Sequence, residues 1–294
     1  MRCPPRASAR ARPTRASRTT AAPGDREGPF GFVQLEFGFL LGPPDGRYLV
    51  RPAADALVES VLVLSTLGAP QRARIGARRP RSVDDAEPEP VPTSRATVAR
   101  AAAFPSRADA EAWLADADLD AERDAAIAVL NRALRAQRAA TADPYVAEVS
   151  VERALVVRIG YGSGDEVADG RYGEAVELPR SAPRRARRSM EAPEERFAAL
   201  LGGREEIHPA EELVLRARAD LNAGRPAEAA LQCRVAIEAL LASSGADELA
   251  PHREAVAAAA NAALSGPVPG QHAAALEEAV TAMERALRRR RLGG

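Results

Sequence analysis

The apolar pattern changes period once along the chain, and this change limits the fold more than any other feature. Before about residue 178, apolar side chains recur at every second position, as a strand with one buried face requires. Val33, Leu35, Phe37, Phe39 and Leu41 alternate with Gln34, Glu36 and Gly38, and Val149, Val151, Leu155, Val157 and Ile159 share one parity. Beyond residue 192 the spacing is helical throughout. The connector between, PRSAPRRARRSM (179–190), is basic and Pro-containing, so neither pattern extends through it. The expected class is therefore α+β: an N-terminal antiparallel sheet with packed helices, followed by an all-α helical-hairpin domain.

Local signals refine that expectation. GPPDG (42–46) followed by RYLV predicts a hairpin with the strand before it. Val58–Leu64 is apolar on both faces and predicts a central strand. PRSVDDAEPEPVPTS (80–94) predicts an exposed loop. Ser106 with Asp109 fits a capping box that starts a helix carrying Trp113 and Leu114. A longer helix is expected from about Asp120 to Ala140, with Ile127, Leu130 and Leu134 as its apolar line and Asp143-Pro144 as its end. The domains expected are an Arg-rich disordered arm (1–28), the α+β domain (29–178), a basic linker (179–192) and the helical domain (193–294). The arm has no apolar h-region, so it is not a secretory signal. Its composition suits an organellar transit peptide, a disordered arm or an upstream mis-assigned start, and the sequence leaves these open.

Composition matters most through one absence. Acids and bases balance at 41 each, and every base is Arg. Without Lys there is no Walker A loop, no kinase strand Lys and no Schiff-base amine. A GC-rich genome, whose codons favour Arg, Ala, Gly and Pro, is the expected cause of the bias. Neutral net charge argues against a globally basic nucleic-acid binder. Cys3 and Cys233 form no C-x-x-C pair, as suits a reducing, cytoplasmic setting, and the three His lack metal-ligand spacing. No metal and no cofactor are expected. Asp116, Asp118, Asp120 and Glu122 open like a calcium loop, but Ala121 and Ile127 replace the Gly and Glu it needs. That stretch is expected to be a helix–helix turn. No run of about 18 uncharged apolar residues exists, so no transmembrane segment is expected.

The helical half repeats itself. ELVLRARADLNAG (212–224) aligns with EAVAAAANAALSG (254–266), and AALQCRVAIEALL (229–241) with AALEEAVTAMERAL (274–287). The stretch GRPAEAALQCRVAIE (224–238), with a Gly before the second helix and small residues along it, resembles a tetratricopeptide unit. The likeness covers residues 212–241 and 254–287, and the family's large aromatic positions have no counterpart after Tyr172. It implies paired helices whose grooves bind a peptide or another subunit.

Two further features could carry chemistry. Gly160-Tyr161-Gly162-Ser163-Gly164 follows a strand, as in loops that hold a phosphate on a helix N-terminus. Asp165 stands where the dinucleotide fingerprint needs its third Gly, and Ser163 with Glu166 forms a capping box. A structural turn is the plain reading. If a ligand binds, Asp165, Glu166 and Asp169 suit a cation or a metal-bridged phosphate. The Arg clusters Arg184, Arg185, Arg187, Arg188 and Arg288, Arg289, Arg290, Arg291 could meet phosphates or acidic proteins, but no aromatics are interleaved for base stacking. The expectation is a non-enzymatic interaction or scaffold protein with a protein partner or a homo-oligomeric state. The alternatives are a small-ligand-binding protein or enzyme using Gly160–Asp169, and a nucleic-acid binder using the Arg clusters.

Overall fold

A computed structural model describes residues 28–53, 55–68, 91–179, 193–243 and 246–292. The Arg-rich arm, most of the expected loop 80–94, most of the linker 179–192 and the first Arg cluster (184–188) lie outside these residues; the loop's expected end is corrected, since Thr93 and Ser94 belong to a strand and Ser94 is buried. The chain divides into two compact units, Met1–Ala182 and Pro183–Gly294.

The first unit is α+β. Its strands are β1 (Phe30–Phe37), β2 (Gly46–Val50), β3 (Ser60–Leu67), β4 (Thr93–Arg100), β5 (Ala154–Gly162) and β6 (Glu174–Glu177). Among the described residues they form one antiparallel sheet in the order β2-β3-β4-β1-β5-β6. Helices α1 (Arg107–Asp116) and α2 (Leu119–Thr141) pack on one face. Val33 lies opposite both Val98 and Ile159, and Leu35 opposite both Ala96 and Val157. With Leu62, Leu64, Ala126, Leu130 and Leu134 these make one buried apolar core.

The expected hairpin of 30–41 with 46–50 does not form. β1 pairs with β4 and β5, while β2 pairs with β3. Both edges of β1 are occupied by strands distant in sequence, because β1 is buried on both faces and belongs at the sheet centre. The half-buried reading of β1 is corrected by the same fact: Phe32 and Gln34, on the face away from α1 and α2, are almost wholly buried. That face is covered by α3 (Gly164–Ala168) and the turn after it. Tyr172 packs against Phe32 at 5.6 Å between rings, and Val167 lies over Gly162.

The parity of 149–159 does not survive intact either. Val149 is held by a reciprocal pair of hydrogen bonds with the Asn131 amide, its N–H donating at 2.8 Å and its carbonyl accepting at 2.9 Å. Val151–Arg153 is a single 3₁₀ turn. A bulge sets Phe37 opposite Ala154, so Leu155 is skipped and left partly exposed. The helix starts match expectation more closely. Ser106 Oγ accepts from the Asp109 N–H at 3.2 Å, and Asp118 accepts from the N–H groups of Asp120 and Ala121 at 3.1 Å each. α2 ends with Ala142 in the left-handed region, just before Asp143-Pro144.

The second unit is all helical: α4 (Pro193–Leu201), α5 (Pro209–Asn222), α6 (Pro226–Leu241), α7 (Arg253–Ser265) and α8 (Gly270–Leu292). Small residues such as Ala210, Ala217, Ala229, Ala236, Ala259 and Ala279 are fully buried, while Ile237, Leu249, Leu276 and Met283 fill the centre. Asp220 is buried at the α5–α6 turn and accepts from Arg225 Nε at 2.6 Å and Gln232 Nε2 at 2.7 Å, which locks the two helices together. Gly224, at φ +67°, makes that turn in a conformation that L side chains rarely adopt. The two duplicated segments are both helical pairs. However, α8 packs against α5 as well as α6 and α7. Arg218 of α5 donates to Glu284 (2.8 and 3.1 Å), Thr281 (3.0 Å) and Glu277 of α8. These contacts close the pairs into a bundle, whereas repeat arrays stack openly.

Candidate functional site

The Gly-rich stretch is shaped by its neighbours. A Cβ on Gly160 would lie 2.1 Å from the Glu174 carbonyl oxygen, and one on Gly162 would lie 3.1 Å from Val167. Gly160 therefore lets β6 approach β5, and Gly162 lets α3 fold back over the sheet. Gly164 lies against the Phe30 ring. Ser163 caps the short α3: its hydroxyl accepts from the Glu166 N–H at 3.4 Å and donates to the Glu166 carboxylate at 2.9 Å.

The carboxylates that follow face cations of the protein. Arg47, from the edge strand β2, reaches Asp165 at 3.5 Å and Asp169 at 3.7 Å. Arg171 reaches Asp169 at 3.3 Å, and Arg95 donates to the Asp169 carbonyl at 3.1 Å. Arg95 also fills the space beside Gly170, which turns at φ +79°. All the Gly160–Asp169 candidates are thus brought together around one turn, with Asp165 and Asp169 paired to Arg side chains. Glu166 is engaged by the Ser163 cap. Among the described residues, no three His, Cys, Asp or Glu side chains converge on a metal position.

Tyr161, between two of these glycines, points to the opposite face. Its hydroxyl donates toward Glu174 at 2.7 Å, with Glu111 of α1 at 3.3 Å. The bond to Glu174 raises the phenol pKa above its ordinary value, with burial next in effect. Glu111 is held below the ordinary glutamate value, chiefly by its hydrogen bond from Arg107. The acidic turn also resolves into pairs: Asp118 caps α2, Asp120 meets Arg123, and Glu122 meets Arg100.

The second Arg cluster lies at the end of α8. Arg288, Arg289 and Arg290 are exposed, and Arg289 pairs with Glu248. The side chain of Arg291 lies outside the described residues. More informative on this unit are large apolar side chains one turn apart and open to solvent. On α6 these are Leu231 (43% exposed) and Val235 (58%), and on α4 they are Phe197 (64%) and Leu201 (74%). Sequence reading missed them because the apolar face of an Ala-rich helix cannot be told from its outer face until the packing is known.

Sequence reading also missed a cleft of about 480 Å³ where the ends of β1, β3 and β4 meet residues 101–105, α1 and α2. Compared with known proteins, the chain matches no family model, no curated protein and no solved structure. No described helix is long and apolar enough to cross a membrane.

Proposed function

We propose that this chain is an interaction protein that engages another protein through the outer face of its helical unit. The observation that supports this reading is the Leu231–Val235 pair. Single exposed apolar residues are ordinary on a protein surface. Two large ones at i and i+4 make a continuous strip along α6, opposite the helix face that packs Cys233, Ala236, Ile237 and Leu240 into the bundle. Arg234 and Glu238 border that strip. An apolar strip with a charged border is what an amphipathic helix or groove of a partner recognises. The bundle is closed by α8, so the binding surface in this reading is the outside of the helices rather than a groove between repeats.

The test is a paired Leu231→Glu and Val235→Glu variant. Both positions face solvent, so the melting temperature is expected to stay close to that of the wild-type chain. Binding of a partner, or self-association in sedimentation, is expected to disappear. A variant that still captures the same partner and sediments as the wild type does would overturn the reading.

A further inference from the structure

We propose that the cleft at the end of the sheet binds a small protonated amine with a compact apolar body. Its volume of about 480 Å³ lies within the usual range of small-molecule sites. Phe104 and Trp113 form one wall, with their rings 5.3 Å apart and tilted by 35°. Val98, Ala126 and Val129 line the same cleft. Gly31 lets that wall pack against β1: a Cβ there would lie 3.1–3.3 Å from Phe104 Cε2, Arg100 Cδ and Trp113 Cη2.

The polar lining selects the ligand. Ser60 stands opposite Arg100 in the β3–β4 register and is only 6% exposed. Its hydroxyl oxygen is buried and has no hydrogen-bond partner in the protein. An unpartnered buried hydroxyl is costly, and a ligand that donates to it removes that cost. Arg100 is already engaged: its guanidinium lies 4.8 Å from the Trp113 ring centre and pairs with Glu122. The solvent-exposed Glu59 lines the cleft as well, and among the described residues no cation pairs with it. Among the described residues, one negative charge is therefore left over. An ammonium group in the cleft meets the exposed Glu59 carboxylate and donates to the Ser60 hydroxyl once that side chain turns outward, while its apolar body lies against Phe104, Trp113 and Val129. A carboxylate ligand would have to take Arg100 from Glu122 and would also face Glu59.

Trp113 is the only tryptophan of the chain, so its fluorescence reports on this cleft alone. The experiment titrates the full chain with 2-phenylethylamine and with 3-phenylpropionate, its match in shape with reversed charge, following Trp113 emission and the heat of binding. Saturable binding of the amine and not the acid is expected. Glu59→Gln should weaken it about tenfold, the size of one hydrogen bond to a charged group. Ser60→Ala should weaken it in the same direction, and the melting temperature of Glu59→Gln should match the wild type. Three results would overturn the proposal: no saturable heat or emission change at millimolar amine, equal binding of the acid, or amine affinity unchanged in Glu59→Gln.

Discussion

At the scale of single residues, burial decides what the reactive groups can do. Cys233 sits in the interior of α6 with no exposed surface, and burial pushes its thiol up to about 12, with nearby Arg218 opposing and Glu277 adding. The thiolate is the reactive form, so in a Cys3→Ser background Cys233 should resist a water-soluble thiol reagent at pH 8 and react once urea unfolds the chain. Rapid labelling of the native protein would refute this. The same shift fixes a sign. In the unfolded chain the thiol ionises from about pH 8.5, whereas in the folded chain it stays protonated until about pH 12. Its contribution to stability is complete below about pH 8.5 and is lost as pH rises through that window. Glu238 behaves oppositely. The hydrogen bond from Arg253 holds its carboxyl below the ordinary value, so what it contributes is present at neutral pH and lost on acidification.

At the scale of elements, the strand-loop-helix of 154–168 is the best case for reading spacing together with contact. The sequence shows glycines at 160, 162 and 164 but not what they touch. The Gly160 position lies against β6, and this contact makes a direct prediction. Gly160→Ala must push β6 off β5 and should destabilise the first unit by about 1–3 kcal/mol, as overpacking does. Chemical denaturation of the variant measures this, and wild-type stability would mean that the strand shifts freely. Helix starts were legible, since Ser106 and Asp118 cap through their own side chains within three residues. The pairing of β1 was not legible. A turn such as GPPDG says that the chain reverses, but not which strand lies next to the one it leaves. The bulge at Leu155 was hidden for a related reason, because a skipped residue leaves no mark on parity.

At the scale of the whole molecule, the chain consists of two units, each with its own apolar core. The expectation is that residues 28–182 and 183–294, produced separately, each unfold cooperatively at the temperature of the corresponding transition in the intact chain. A fragment that lacks a cooperative transition would show that its core needs the other unit. The α+β class and the purely helical second half were determined by the sequence alone, because periods of 2.0 and 3.6 follow from backbone geometry within each segment. So were the exclusions that rest on the absence of Lys. Only the tertiary structure decided that β1 is central, that α8 closes the bundle onto α5, that Asp165 and Asp169 face Arg47, and that Ser60, Glu59 and Trp113 line one cleft. Each of these joins residues far apart in the chain. Local pattern carries no information about such partners, which are selected by how the elements bury one another's apolar faces.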